Sequence, residues 1–489
     1  MSTITESAPG ERIAERAAKA VVWSYASWIG SKTLTLIVTA ILARLLTPED
    51  FGVVGFATVV VAYLIVIQDL GFGAALIQRR DDIDDAADTV FTLGLLTGSA
   101  LALITIVGAP TVAAWFGEPR VTPMLRVLAL GFVIGAAGNT HVTLLRRHLR
   151  FHLRAVPEVG GTAVRGVVAV VCALAGLGPW ALIIGHLAGV GTSTILAWVV
   201  EPWRPRLRLV RSLVRPLGRF GMPLLGANAV HALVANLDYL IVGKVLGGSA
   251  LGIYTLAYRL PELLLLGVVA VLNRALFPAL AEVQNRPEDL RKGFLATMRY
   301  VPMAVVPIGI GLMITAEPII MVTLGEQWID AVPVMRVLAA YALASSLMVA
   351  DGDVYKATGR SGLLARFAAL KLALLVPALL IGAQHGLVAV ASAHLATTVV
   401  VKALRAVVAA RIIGVRLRDL LAPLRSTLIA AAVLTASAAA SMYTTGGLPD
   451  LTRLLVTMAA GSASYAAVLL RLEWPALRRL AGLLGRGKE

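Results

Sequence analysis

Residues 41–57 read ILARLLTPEDFGVVGFA, and the pattern returns at residues 241–257 as IVGKVLGGSALGIYTLA. Ile41, Leu46, Gly52 and Ala57 fall on Ile241, Leu246, Gly252 and Ala257, and Arg44 falls on Lys244, without a gap. Each copy is the apolar end of one helix, a short polar turn and the start of the next apolar helix. The correspondence continues outward. Pro123–Ala129 (PMLRVLA) recurs as Pro333–Ala339 (PVMRVLA), and Gly117-Glu118 recurs as Gly325-Glu326. Gly178, Ala181, His186, Leu187 and Ala188 recur as Gly386, Ala389, His394, Leu395 and Ala396. An offset that drifts only from 200 to 210 residues along this distance is the mark of a lobe present twice.

Composition fixes the solvent of those lobes. Of 489 residues 58% are hydrophobic and only 15% charged, with a mean hydropathy of +0.82. A soluble core cannot absorb that much apolar sequence. Apolar runs of about 20 residues span the hydrocarbon layer as helices, because backbone polar groups inside lipid must be satisfied within the segment. The sequence therefore predicts an all-α polytopic membrane protein. The formal charge of +16 would suggest nucleic acid in a soluble chain, but here it is confined to loops, so no nucleic-acid partner is expected. The lone Cys172 lies in an apolar run and leaves neither a disulfide framework nor a Cys metal site.

Counting apolar runs gives fourteen spans. Lys and Arg gather in the even-numbered loops: Arg79 and Arg80; Arg146, Arg147, Arg150 and Arg154; six arginines between Arg204 and Arg219; Arg286, Arg291 and Lys292; Lys356 and Arg360; Arg411, Arg416, Arg418 and Arg425. The odd-numbered turns hold little beyond Arg120 and Arg453. Positive charge is retained on the cytoplasmic side, so the alternation predicts N-in and C-in. The expected organisation is a cytoplasmic segment 1–20, an N-lobe of six spans over 21–200, a basic linker 201–220 and a C-lobe of six spans over 221–411. Spans 13 and 14 follow over 412–471, outside the repeat, and then a cytoplasmic tail, 472–489. Six spans is an even number, so the lobes should be parallel repeats.

Ionisable residues inside spans are costly, and each is a functional candidate. Lys32, Asp69, Arg165, Asp238, Arg259, Glu262 and Lys371 lie far enough from span ends to matter. Arg259 and Glu262, three apart on span 8, can pair on one helix face, either locking that helix or serving a site. Lys32, Arg165 and Lys371 either snorkel to the inner surface or line a cavity. Such a cavity would draw an anion, and a pyrophosphate suits arginine well. Asp69, in QDLGFGAAL beside Gly71 and Gly73, reads as a coupling site for a proton or cation, or as a hydrogen-bonding cap on a distorted helix end. Asp351 and Asp353 read as solvated. His148 and His152 have zinc-like spacing but no acidic neighbour in sequence, and no metal site is expected there. His186 and His394 read as packing residues, and Gly131/Gly135, Gly185/Gly189 and Gly243/Gly247 as sites of close helix contact.

Taken together, LARLLTPEDFGVVGFATVV, DLGFGAALIQR, LLRRHLRFH, GPWAL, NLDYLIVGKVLGGSALGIYTLAYRLP and FPALAEVQ resemble the polysaccharide transporter family of oligosaccharide flippases. That family belongs to the multidrug, oligosaccharidyl-lipid and polysaccharide exporter superfamily. The resemblance implies two six-helix lobes around a central cationic cavity, to which Lys32, Arg165, Arg259 and Lys371 would contribute. It implies a carrier in the cell membrane that moves a polyprenyl-pyrophosphate-linked oligosaccharide from the inner to the outer leaflet by alternating access. No cofactor or catalytic residue is implied. Asp69, Asp238 and Glu262 are the acidic candidates for ion coupling or charge pairing. Membrane lipids are implied partners, and a polysaccharide polymerase and glycosyltransferases are candidate ones. Fourteen spans, rather than twelve, are shared with the related lipid II flippases, whose extra pair helps form a groove for the lipid tail. A drug or cation exporter of the same superfamily is the alternative reading and predicts a cavity dominated by carboxylates. A membrane polymerase or ligase would need long external loops, and turns such as TPED, AGLGP and GGSA are short.

Overall fold

The computed structural model describes residues 28–485 apart from 69, 270–285 and 348–350. The N-terminal segment, the start of span 1, Asp69, FPALAEVQ, Arg486 and Lys488 lie outside the described residues. Among the described residues there are helices and no strands, and fourteen segments are long and apolar enough to cross a membrane, the number counted from the sequence.

The first repeat motif is α1 (Trp28–Leu45), a turn and α2 (Pro48–Gln68). TPED closes the turn as a reciprocal cap: the Thr47 amide donates to Asp50 Oδ2 at 2.9 Å and the Asp50 amide donates to Thr47 Oγ1 at 3.2 Å, while Pro48 takes the first helical position. The second copy joins α8 (Arg211–Leu246) to α9 (Gly248–Pro261) through Gly247, whose φ of 88° suits glycine alone. The two motifs touch through their equivalent residues. A Cβ on Gly52 would stand 1.8 Å from the Gly248 oxygen, and a Cβ on Gly252 would stand 2.0 Å from the Pro48 oxygen. Residues 48 and 248, and 52 and 252, are partners under the repeat. The repeated glycine spacing is thus a pair of mutual backbone contacts that side chains would prevent.

The chain folds as two compact units, 1–252 and 253–489. In the first, span 2 is broken into α2 and α3 (Phe72–Gln78), with Leu70 and Gly71 at positive φ and Gly71 against Gly221 of α8. The glycine-assisted distortion expected around Asp69 is therefore present, although Asp69 itself is not described. α4 (Ile83–Phe116), α5 (Val121–Arg147), α6 (Phe151–Leu174) and α7 (Trp180–Val200) complete the unit. Lipid offers no hydrophobic reward for helix association, so close approach has to supply it. On α7, a Cβ at Gly185 would meet Ala169 Cβ at 2.6 Å, and one at Gly189 would meet Arg165 Cβ at 2.7 Å. α6 and α7 accordingly lie in backbone contact along the GxxxG pair read from the sequence.

Within the basic stretch 201–220, α8 already begins at Arg211. Residues 201–210 run extended along α4. The Arg206 amide donates to Asp88 at 2.9 Å, Arg208 pairs with Asp85 at 3.2 Å and the Val210 amide donates to Thr89 at 3.3 Å.

In the second unit, α9 ends in a π-turn (Glu262–Leu266). It is followed by α10 (Pro287–Ile314), α11 (Ala316–Thr323), α12 (Ala331–Leu347), α13 (Asp351–Ala357), α14 (Gly362–Ala383) and α15 (Leu387–Ile412). After the short α16 (Leu417–Leu421) come α17 (Arg425–Thr444) and α18 (Asp450–Gly485), the spans outside the repeat. They pack on α10. Met303 joins Ala430, Leu434, Tyr465 and Leu469 in one cluster, Tyr465 donates to the Met303 carbonyl at 3.0 Å, and Arg299 holds the buried Glu473.

Candidate functional site

A cavity of about 380 Å³ opens in the first unit between α5, α6 and α7. α5 contributes Asn139, α6 contributes Glu158, Thr162 and Arg165, and α7 contributes His186, Ser193 and Thr194. Glycines 135, 138, 161 and 189 line the same space, and at 138, 161 and 189 the missing side chain lets neighbouring helices approach closely. Its α5 and α6 residues lie in the halves of those helices that lead to the Arg146–Arg154 loop, so that part of the polar cavity and the most basic short loop share one side of the unit.

The chemistry of the lining is uneven. Arg165 offers a guanidinium whose charge acts on the His186 imidazole. Glu158 is the only carboxylate in the lining among the described residues, and it is paired with Arg154 at 3.6 Å. Thr162 donates its hydroxyl proton to the Glu158 carbonyl at 2.8 Å, and Thr194 donates to the Ile134 carbonyl at 2.9 Å. Both hydroxyl oxygens therefore turn lone pairs, rather than protons, toward a ligand. One cationic donor, Arg165, sits beside neutral acceptors.

Arg165 is the one member of the predicted set in this lining. Lys32 is exposed on α1, and Asp238 is almost wholly buried on α8, its charge felt by Tyr63 of α2. Lys371 of α14 stands 5.9 Å from the centre of the Tyr341 ring, against which His394 packs with ring centres 4.1 Å apart. Arg259 is half-buried and Glu262 exposed. The expected Arg259–Glu262 pairing is not observed: among the described residues no ion pair joins them. The helix continues past this point as a π-turn, Glu262–Leu266.

Asp351 and Asp353, expected to be solvated, are instead buried, at 2% and 5% exposed. Asp351 is held by Arg405 of α15 at 2.6 Å and Asp353 by Lys356 at 3.3 Å, partners that a linear reading of span 10 could not supply in full. His148 has an acidic neighbour after all, Glu201, at 4.0 Å. His186, expected to be a packing residue, lines the cavity. Its place could be found only once α6 was laid against α7.

Residues 41–333 match the family model described as "Polysaccharide biosynthesis protein". The chain belongs to this family. Among its relatives, the teichuronic acid biosynthesis protein TuaB of Bacillus subtilis is 27% identical over 70% of this chain and 72% of its own length. The lipopolysaccharide biosynthesis protein WzxC of Escherichia coli is 26% identical over 76% of each chain. Among solved structures, the lipid II flippase MurJ in an inward closed conformation superposes with a TM-score of 0.73 at 13% identity, covering 92% of this chain and 99% of that one. An inward-facing multidrug resistance MATE family transporter of the MOP superfamily gives 0.66 at 16% identity, over 78% and 94%. At these identities the structural likeness establishes the fold of this family member, a multi-pass helical membrane protein.

Proposed function

We propose that this member of the family is a flippase, moving a polyprenyl-pyrophosphate-linked oligosaccharide from the inner to the outer leaflet of the cell membrane by alternating access. The observation that carries this reading is the polar cavity holding Arg165, placed within membrane-spanning helices and on the side of the Arg146–Arg154 loop. By the charge rule that side faces the cytoplasm, where lipid-linked saccharides are assembled. The names of the relatives, which concern lipopolysaccharide and teichuronic acid biosynthesis, agree with it. Lys32, Arg259 and Lys371 are further candidate contacts for the anionic head group.

Moving an anion outward runs against an inside-negative potential at about 2.3 kcal/mol per charge per 100 mV. Ion coupling or downstream consumption must offset that, and Asp69, Asp238 and Glu262 are the acidic candidates. A drug or cation exporter would line its site with carboxylates, whereas Glu158 is neutralised by Arg154. Transport, rather than polymerase or ligase chemistry, also suits turns as short as Thr47 and Gly117–Arg120 on the side opposite the basic loops.

The test is the sidedness of the lipid-linked saccharide in cells depleted of the protein, read with a membrane-impermeant glycosidase on intact and broken cells. Accumulation of an intermediate that is protected until cells are broken is the expected result. An intermediate cleaved in intact cells would place the block after translocation and refute the proposal.

A further inference from the structure

The lining of the first-unit cavity is more specific than a patch of positive charge. An anion needs donors, and Arg165 and His186 supply them from α6 and α7. A cavity built only for an anion would continue with donors, yet Thr162 and Thr194 have already given their protons to the Glu158 and Ile134 carbonyls. Their oxygens, together with the Glu158 carboxylate, accept hydrogen bonds. Asn139 can do both. A ligand that satisfies this wall carries acidic oxygens at one end and hydroxyl donors at the other.

Size narrows the class. Ligand pockets for small molecules run from about 300 to 1,000 Å³, and this one, at about 380 Å³, is at the small end. It accommodates a phosphate with one sugar ring and excludes a whole oligosaccharide repeat. We infer that the cavity between α5, α6 and α7 is a glycosyl-phosphate subsite, in which Arg165 and His186 bind phosphate oxygens while Thr162, Thr194 and Asn139 bind hydroxyls of the first sugar. This rests on the flippase reading and assigns one part of the carrier lipid to one place: the sugar attached to the pyrophosphate and the phosphate next to it. Selection would then act on the first sugar, leaving the rest of the chain free to vary.

The geometry explains why glycine and small hydroxyl residues alternate on the α7 wall. Gly189 allows α6 to bring Arg165 against α7, and Ser193 and Thr194, one turn further on, continue the polar lining. In the repeat-related helix α15, the counterparts of Gly189 and Thr194 are Thr397 and Lys402. The first unit alone carries this combination at these positions.

The experiment uses the full-length protein in lipid nanodiscs and equilibrium binding of inorganic phosphate, glucose 1-phosphate, galactose 1-phosphate and N-acetylglucosamine 1-phosphate. At least one hexose 1-phosphate should bind more tightly than phosphate. Arg165→Gln should weaken phosphate and sugar phosphate together by about tenfold or more. Thr162→Val with Thr194→Val should remove only the advantage of the sugar phosphate. In a Cys172→Ser background, alkylation of Ser193→Cys should be slowed by the preferred hexose 1-phosphate, a readout that needs no change at Arg165. Equal binding of phosphate and every hexose 1-phosphate, unaltered binding by Arg165→Gln, or no protection at position 193 would overturn the inference. The sidedness assay separates the two proposals. Cells that expose the saccharide normally while position 193 goes unprotected would defeat the subsite and leave the flippase reading standing.

Discussion

The two units solve the same position in opposite ways. In the first, His141 of α5 stacks on Trp198 of α7 with ring centres 4.6 Å apart and donates to the Trp203 carbonyl at 3.2 Å. At the repeat-related position in the second, Asp351 of α13 is ion-paired to Arg405 of α15, with Lys402 close enough to feel its charge. The turns reverse the pattern. In the first unit Glu118 pairs with Arg120 at 2.8 Å, and Arg120 also reaches Glu49. In the second the counterpart turn, Glu326–Trp328, closes over a fully buried Trp328. Duplication has therefore kept the helix ends and the Gly52/Gly252 contacts and exchanged charge for aromatic packing elsewhere. Where the backbone approach is fixed, the side chains between helices can be replaced as a set.

The comparison can be broken most severely in the second unit. Asp351→Ala should destabilise the protein by about 3–5 kcal/mol, because the Arg405 charge would remain without its partner. Replacing the pair together, by Asp351→Leu with Arg405→Met, should cost far less. Thermal unfolding in nanodiscs reads both, and equal losses would mean that the ion pair is incidental. Trp328→Ala should lose a comparable amount, about 3–5 kcal/mol, from the cavity it leaves, whereas its counterpart Arg120→Ala should lose under about 1 kcal/mol, as exposed ion pairs do.

A smaller effect is expected from importing one unit's solution into the other. Gly189→Thr, the residue found at 397, should cost about 1–3 kcal/mol by overpacking the α6–α7 contact and should weaken hexose 1-phosphate binding as well. His141→Ala should cost about 1–2 kcal/mol through the lost ring stacking and hydrogen bond.

The smallest effect is one of pH. The hydrogen bond from Arg120 holds the Glu118 carboxyl below the ordinary glutamate range. That contribution is present above the ordinary range and is lost as the pH falls through the lowered value. Acid unfolding of Glu118→Gln should accordingly show slightly less pH dependence than the parent, and the difference should shrink in salt.

Much of this was legible in the chain. The spans and their number follow from runs of apolar residues that have no other solvent. The duplication follows from glycines and turns at a near-constant offset, and GxxxG in α7 marks a real backbone contact. The site was less legible. Arg165 could be singled out, because an arginine within a span is rarely without a role. His186 could not, since a lone histidine on an apolar helix looks the same whether it packs or faces a cavity. Asp351 was misread because its position near a span end suggested water, and Arg405, its partner, is on another helix.

What the sequence determined by itself was therefore whatever depends on the local cost of placing a residue in lipid: the helices, their ends, their alternation and their repetition. What only the tertiary structure decided was which polar groups meet. The crossing of α13 with α15 joined Asp351 to Arg405, a pair that sequence distance kept apart. Inside a membrane the solvation of each polar side chain is set by its neighbours on other helices, and those neighbours exist only once the chain has packed.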